Sequence, residues 1–373
     1  MKILQKKIAI VTPSITKIEV DYVTDAIKNA WGKNAYSYIT KFEKKFAKYI
    51  GVKYALATSS CTGAIHLALL SLGIKEGDEV IVPDITWAAT AFPITYMGAK
   101  PVFADIDENS WCIDPQAIRR LINRKTKAII PVHLYGNPAQ MDEIMAIARQ
   151  NNLYVIEDAA ESIGAEFNGK KTGSFGDASV YSFHGSKTMT TGEGGMLLTN
   201  SVDIYEKAKY INDQAKSPKR RFWNTGIGHK YKMTDFQAAL GLAQLSRLHE
   251  LITKKEKIFD WYKKRLGEVT GLTLNEQQEG CKNSYWMVTL IFDKKFGLDK
   301  EKVMKKLDKM NIDPRPFFYP LSSMPPFKTK VNNPVSYDIS KRGINLPCGY
   351  DITENEVNYV CDCLLEILNI NYS

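Results

Sequence analysis

Between residues 53 and 200, short apolar runs alternate with segments whose apolar residues recur at helical spacing. The apolar runs have the length of β-strands, and they lie at 54–58, 79–83, 101–104, 128–132, 153–156, 179–183 and 196–199. The segments between them predict helices, most clearly at 64–72, 115–122 and 141–150. This alternation is typical of a mostly parallel sheet that is covered by helices on both faces.

Different patterns flank this region. Two amphipathic segments before it, 14–30 after a serine cap and 38–49, predict helices. After residue 200 the alternation stops, and the pattern predicts a helix over 235–265 with a break near Leu251, a strand over 285–292, and helices over 300–310 and 353–368. The sequence therefore predicts an α/β protein with a large domain, residues 1–250, and a smaller C-terminal α+β domain, residues 251–373.

Composition and charge narrow the class of protein. The chain has 373 residues and a formal net charge of +9, and its scattered lysines indicate either general solubility or attraction of anionic molecules such as phosphates. No helix-turn-helix, zinc-finger or aromatic-basic pattern occurs, so nucleic acid is not an expected partner. We find no signal-peptide core and no membrane-spanning apolar run, and the six cysteines are dispersed. We therefore expect a cytoplasmic protein with reduced thiols.

Three candidate groups follow predicted strands. The stretch Ser-Ser-Cys-Thr-Gly at 59–63 leads into a helix N-terminus, which could bind an anion or be an ordinary capped helix. Asp158 could hold a protonated ring nitrogen or cap a helix. Trp87 could stack on a planar ligand or pack into the core. Because ligands bind at the carboxyl ends of parallel strands, we expect these groups to lie close together.

A fourth candidate is the lysine within Ser-Phe-His-Gly-Ser-Lys-Thr-Met-Thr-Thr-Gly-Glu-Gly-Gly, residues 182–195. Taken alone, Lys187 could be a surface charge or an amine that reacts with a carbonyl group. Residues 185–188 resemble the end of a phosphate-binding loop, but the required earlier glycine is missing, which argues against a nucleotide hydrolase. A lysine, a carboxylate, an anion site and an aromatic ring at converging strand ends together favour pyridoxal 5′-phosphate (PLP) as cofactor.

Longer motifs run nearly from end to end of the chain. They include Gly-Asp-Glu-Val-Ile-Val-Pro at 77–83, Pro-Val-His-Leu-Tyr-Gly at 131–136, Val-Ile-Glu-Asp-Ala-Ala-Glu at 155–161, Thr-Gly-Ser-Phe-Gly at 172–176, the lysine stretch itself, and Pro-Arg-Pro at 314–316. In these motifs the chain resembles the DegT/DnrJ/EryC1/StrS family of PLP-dependent sugar aminotransferases. The resemblance implies the aspartate-aminotransferase-like fold, PLP fold type I, and an enzyme that is a transaminase.

The resemblance also implies roles for residues around the cofactor ring. Lys187 would be the amine that bonds to PLP and then moves the proton during catalysis. Asp158 would keep the pyridine nitrogen protonated, and Trp87 would stack on the ring. Glu161 stands where the family has Gln or Glu near the ring hydroxyl.

A second group of residues is implied at the phosphate. Ser182 and the backbone of Cys61 and Thr62 would bind it. In the family, a residue that is usually Asn reaches the phosphate across a dimer interface, and here that position is Lys230. A lysine could pair with the phosphate as a point charge, although it departs from the family pattern.

The implied partners are glutamate as amino donor and a nucleotide-linked keto sugar as acceptor, within a homodimer that shares its active sites. The expected reaction is amination at C4 of a 4-keto-6-deoxyhexose for surface polysaccharide or related glycan biosynthesis, with amination at C3 or of another keto sugar as the alternative. Sugar dehydratases of the same fold replace the lysine by histidine, so Lys187 argues against that activity. A non-catalytic protein that binds PLP or a nucleotide sugar is a remote alternative.

Overall fold

The computed structural model describes residues 4–370. Its strands are β1 (Tyr54–Thr58), β2 (Glu79–Pro83), β3 (Lys100–Ala104), β4 (Thr126–Ile129), β5 (Tyr154–Asp158), β6 (Glu166–Phe167), β7 (Lys170–Lys171), β8 (Ala178–Ser182), β9 (Gly195–Thr199), β10 (Leu272–Leu274), β11 (Cys281–Lys282), β12 (Val288–Phe292), β13 (Arg315–Pro316) and β14 (Gly343–Leu346). Its helices are α1 (Lys17–Asn29), α2 (Ser37–Ile50), α3 (Cys61–Leu72), α4 (Phe92–Tyr96), α5 (Pro115–Leu121), α6 (Met141–Gln150), α7 (Val202–Asn212), α8 (Asp235–Ser246), α9 (Leu248–Leu266), α10 (Lys300–Lys309), α11 (Pro334–Arg342) and α12 (Glu354–Ile367).

The large sheet has the strand order β1-β9-β8-β5-β4-β2-β3. β9 is antiparallel to both of its neighbours, and every other adjacent pair is parallel. The predicted α/β class and the mostly parallel sheet are therefore confirmed. The antiparallel β9 brings its first residue, Gly195, beside the last residues of β1 and β8, Thr58 and Ser182.

Both faces of this sheet are buried, which explains why its strands are nearly continuous apolar runs. Along β5, Val155 packs into one hydrophobic cluster and the next residue, Ile156, packs into another that includes helix α3. Successive side chains of a strand point to opposite faces, so one short run contributes to two cores. Each fully buried aliphatic side chain stabilises the folded state by about 1.5–3 kcal/mol relative to an exposed one.

The C-terminal region is built on a second, antiparallel sheet with the order β10-β12-β14-β13. The long helical pattern over 235–265 divides into α8 and α9 at Arg247, not at Leu251. The Arg247 guanidinium binds the buried Glu19 of α1 at 2.8 Å and the exposed Glu250 of α9 at 2.7 Å, so the break lies at an ionic junction between three helices.

The first helix begins later than its apolar pattern indicates. Thr16 is the N-cap of α1, in place of the expected serine, because its hydroxyl accepts a hydrogen bond from the Ile18 N–H. The Thr16 N–H in turn donates a 2.7 Å hydrogen bond to the Glu19 carboxylate. This reciprocal pair is a capping box. Among the described helices, none combines the length and the apolar character needed to cross a bilayer.

Candidate active site

A cavity of about 730 Å³ lies at the edge of the large sheet where β1, β2, β5 and β8 end and β9 begins. Seven of the residues that the sequence singled out line this cavity: Cys61, Thr62, Trp87, Asp158, Glu161, Ser182 and Lys187. Lys230 is exposed and lies outside the cavity lining of its own chain. The side chains that follow separate strands therefore converge, as parallel-sheet topology requires.

Lys187 points into this cavity and is not a surface charge. Its side chain is only 13% exposed, and its Nζ lies 3.4 Å from Glu161 Oε1. The same Nζ lies 3.5 Å from the centroid of the Trp286 ring, and the Trp286 indole N–H donates a 2.8 Å hydrogen bond to the Ser186 carbonyl. The tryptophan thus fixes the loop that carries the lysine and covers the amine on one side.

Asp158 is buried at the last position of β5. Its Oδ2 accepts a 2.7 Å hydrogen bond from the Thr90 hydroxyl, and its Oδ1 accepts one of 3.1 Å from the Ala160 N–H. Burial raises the pKa of the Asp158 carboxyl, and the Thr90 hydrogen bond and the charge of Lys187 oppose this shift. A cationic ring nitrogen beside the carboxylate would favour its charged form further.

Glu161 is buried three residues after Asp158, in the turn that follows β5. Its Oε2 accepts a 2.9 Å hydrogen bond from the Tyr135 N–H, while its Oε1 faces Lys187. Burial raises the pKa of Glu161, and the Lys187 charge lowers it. The tyrosine has a left-handed backbone, φ 53°, which directs its N–H toward the carboxylate.

The N-terminus of α3 also lines the cavity, through Ser60, Cys61 and Thr62. Ser60 caps this helix, accepting a hydrogen bond from the Gly63 N–H at 3.1 Å. The first intrahelical bond runs from the Ala64 N–H to the Ser60 carbonyl, so the N–H groups of Cys61 and Thr62 precede it and have no acceptor within the helix. Free N–H groups and the helix dipole together favour an anion at this position.

Gly195 is required for this arrangement because β9 begins directly against the helix N-terminus. A Cβ atom at Gly195 would lie 2.6 Å from the Cys61 nitrogen and 2.6 Å from the Ser60 carbonyl carbon. Both are backbone atoms that cannot rotate away. The glycine therefore lets three chain segments meet where an anion would bind.

Trp87 lies at the cavity with 61% of its surface exposed. Its ring centroid is 6.2 Å from that of Phe318, and the two rings are tilted by 42° and do not stack face to face. A flat heteroaromatic ring could stack there.

These residues fit PLP. The cofactor presents an aldehyde to an amine, a ring nitrogen to a carboxylate and a phosphate to backbone N–H groups. Lys187, Asp158 and the N-terminus of α3 supply these three partners in one cavity, with Trp87 beside them.

Sequence reasoning assigned no role to four further residues that line the cavity: Thr90, Tyr135, Trp286 and Arg315. Tyr135 lies inside the motif at 131–136 and Arg315 inside the motif at 314–316. An arginine between two prolines is a pattern from which a binding residue could have been predicted. Trp286 comes from the C-terminal region, and nothing local connects it to Lys187.

Comparison with known proteins agrees with the geometry. Residues 13–365 match the model of the DegT/DnrJ/EryC1/StrS aminotransferase family. The chain is 42% identical to GDP-perosamine synthase of Caulobacter vibrioides over 86% of this chain and 87% of that protein, and 41% identical to GDP-perosamine synthase of Escherichia coli O157:H7 over 91% and 92%. A crystal structure of DesI with its TDP-sugar product superposes with a TM-score of 0.91 at 25% identity, covering 98% of this chain and 94% of that one. The chain belongs to the DegT/DnrJ/EryC1/StrS aminotransferase family and is a PLP-dependent sugar aminotransferase.

Proposed function

We propose that the enzyme transfers an amino group from glutamate to C4 of a nucleotide-linked 4-keto-6-deoxyhexose, for surface polysaccharide or related glycan biosynthesis. The observation that carries the aminotransferase part is the buried Lys187 amine between Glu161 and Trp286 in a cavity that fits PLP. Similarity to two GDP-perosamine synthases at about 40% identity supports the choice of sugar.

Lys187 is proposed as the catalytic residue. PLP, when bound, supplies a reactive carbonyl and a ring that withdraws electrons from the carbon bearing the amine. Lys187 would hold the cofactor through its Nζ, and the same amine would accept and return the proton as general base and acid. Its low exposure keeps bulk water away from this proton, and Glu161 at 3.4 Å holds the amine in place.

Asp158 is proposed to keep the cofactor ring nitrogen protonated. Its two oxygens already accept hydrogen bonds from Thr90 and Ala160, which fix the orientation of the carboxylate. Trp87 would stack on the ring, and Glu161 would lie near the ring hydroxyl.

The phosphate is proposed to bind Ser182 and the backbone N–H groups of Cys61 and Thr62. Lys230 is proposed to reach the phosphate of a partner subunit in a homodimer. The segment beside Lys230 is unusually apolar for a surface, since Phe222 is 90% exposed and Ile227 is 93% exposed. Exposed apolar groups of this kind are typical of a protein interface, which supports the dimer.

We also propose the division into a large domain, residues 1–250, and a small domain, residues 251–373. Helix α9 begins at Leu248 and the second sheet follows it. Near the N-terminus, however, the Ile8 N–H donates to the Asn311 carbonyl at 2.8 Å, and the Cys348 N–H donates to the Ile10 carbonyl at 2.8 Å. Residues 8–10, which precede α1 in the chain, are thus hydrogen-bonded to the C-terminal region.

The test is incubation of the purified holoenzyme with glutamate and a panel of GDP-, dTDP- and UDP-linked keto sugars. We expect 2-oxoglutarate and a sugar aminated at C4 from a 4-keto-6-deoxyhexose, identified by mass spectrometry and NMR. A product aminated at C3 would replace the proposed position. If none of the sugars in the panel were aminated, the proposed acceptor would be wrong.

A further inference from the structure

Lys187 and Arg315 are the lysine and arginine side chains that line the cavity. Lys187 has a proposed role at the cofactor, whereas Arg315 forms no hydrogen bond or ion pair with the residues proposed to bind it. Among residues 4–370, the Arg315 side chain has no hydrogen-bond or ion-pair partner, whereas its backbone belongs to strand β13. An arginine that lines a cavity without a carboxylate partner leaves its five N–H donors available to a ligand.

The backbone that carries Arg315 is firmly held. Strand β13 pairs Arg315 with Asn345 of β14, and both chain neighbours of the arginine are prolines. Just beyond it, the buried Lys300 amine donates a 2.9 Å hydrogen bond to the Phe317 carbonyl, and the Phe317 N–H donates to the Gly343 carbonyl at 3.0 Å. The backbone at Arg315 is therefore fixed, and its exposed side chain is left without a partner in the described residues, which suits the binding of a ligand.

The charges of the cavity indicate what that ligand is. The lining carries three carboxylates, Asp158, Glu161 and Glu193, so a negatively charged substrate would be repelled unless a cation compensated for it. The proposed cofactor phosphate has its own partners at the N-terminus of α3. Arg315 lies instead on the wall contributed by the C-terminal region, beside Phe318 and Tyr319.

We infer that Arg315 binds an anionic group of the substrate, either the carboxylate of the amino donor or the diphosphate of the sugar nucleotide. A planar guanidinium forms two parallel hydrogen bonds with either group. This inference rests on the proposed function, because both substrates of that reaction are anionic. It assigns Arg315 to substrate binding and leaves cofactor binding unaffected.

The test uses the holoenzyme and two variants. Arg315→Gln removes the charge, and Arg315→Lys keeps the charge but loses the planar fork. Calorimetry would measure the binding of glutarate, a dicarboxylate that has no amine to transfer, and of GDP, dTDP and UDP. In a parallel measurement, the yellow absorbance of bound PLP follows conversion by glutamate as a function of glutamate concentration. Arg124→Gln is the matched control, since this exposed arginine precedes β4 at the other edge of the sheet.

We expect Arg315→Gln to weaken at least one class of ligand by about tenfold or more, with partial recovery in Arg315→Lys and unchanged PLP content. Weakened glutarate binding alone assigns Arg315 to the donor carboxylate. Weakened nucleotide binding alone assigns it to the diphosphate, and weakening of both indicates one anion site that the two substrates occupy in turn.

Wild-type affinity for both ligand classes in Arg315→Gln would overturn the inference. Failure of the wild-type enzyme to react with glutamate would count against the proposed donor, and the calorimetric arm would still decide whether Arg315 binds anions. If PLP content fell in Arg315→Gln and Arg315→Lys together, the arginine would belong to the cofactor site, and the inference would be wrong.

Discussion

At the scale of single residues, the candidate active site consists of charged side chains that are held away from water. Lys187 has a carboxylate on one side and an indole on the other, and Asp158 is buried at the end of a central strand. Burying a carboxylate is unfavourable unless it is hydrogen-bonded and paired with a cation. The protein supplies the hydrogen bonds to Asp158, and in the proposed function the cofactor ring nitrogen would be the cation that completes the pair.

Replacing that carboxylate by an amide tests its role. Asp158→Asn preserves the shape and the Thr90 hydrogen bond but removes the negative charge that would hold the ring nitrogen protonated. We expect kcat to fall by about 10²-fold or more, while PLP remains bound, because a stabilising charge at the reacting group is lost. Stopped-flow measurement of the glutamate reaction would show this. A variant with wild-type kcat would contradict the assignment.

Glu43 gives a prediction for pH dependence. This residue of α2 is partly buried beneath β1 and accepts a 2.8 Å hydrogen bond from the Ala57 N–H. Burial raises the pKa of Glu43 from 4.5 to about 7. Because the pKa is higher in the folded state, the contribution of Glu43 to the free energy of unfolding is fully present below about pH 4.5. This contribution is lost as pH rises toward 7, by at most about 1.4 kcal/mol per pH unit.

Glu43→Gln should therefore reduce the loss of unfolding free energy between about pH 5 and pH 8, as measured by urea denaturation. The exposed Glu108→Gln serves as the control and should leave the pH profile unchanged. An identical profile in Glu43→Gln and the wild type would show that Glu43 is ionised throughout this range.

At the scale of secondary-structure elements, the antiparallel strand β9 shapes the anion site. Its first residue lies against the N-terminus of α3, where only a glycine fits. Gly195→Ala should move β9 and the helix apart, with a loss of about 1–3 kcal/mol in unfolding free energy and weaker retention of PLP.

Equilibrium unfolding and dialysis of the holoenzyme would measure the two effects of Gly195→Ala. Gly185→Ala is the control for stability. A Cβ atom there would meet only the Gly192 carbonyl oxygen, at 3.7 Å. Equal destabilisation by both substitutions would show that the close approach at Gly195 is unimportant.

The elements of the large sheet could be predicted from the sequence because each strand is a short apolar run between clear turn signals. The direction of β9 could not, since it depends on the path of the whole loop 183–194. Thr90 and Trp286 were missed for a related reason. The partners of these two residues, Asp158 and Lys187, are distant along the chain, and only the folded sheet and the C-terminal region bring them together.

At the scale of the whole molecule, the proposed dimer makes a prediction about shared sites. If Lys230 reaches the cofactor of the partner subunit, the Lys187→Ala and Lys230→Ala chains should complement each other. In a mixed dimer, one site then has both lysines intact and the other has neither. We expect mixing to restore tight PLP retention and turnover at one of the two sites of each mixed dimer, which is about a quarter of all sites after random reassociation of equal amounts.

Activity assays on dissociated and reassociated mixtures would detect this recovery, with each variant alone as the control. If Lys230 acted within its own chain, no site in the mixed dimer would be complete and activity would not rise. Unchanged PLP affinity in Lys230→Ala alone would show that this lysine does not contact the phosphate.

Borohydride reduction shows whether Lys187 is the amine that holds PLP. The holoenzyme is reduced with borohydride, digested and analysed by mass spectrometry. We expect the reduced cofactor to be covalently attached to the peptide that contains Lys187, and we expect no attached cofactor in Lys187→Ala. Attachment to another lysine, or no attachment to a protein that has been saturated with PLP, would contradict this assignment.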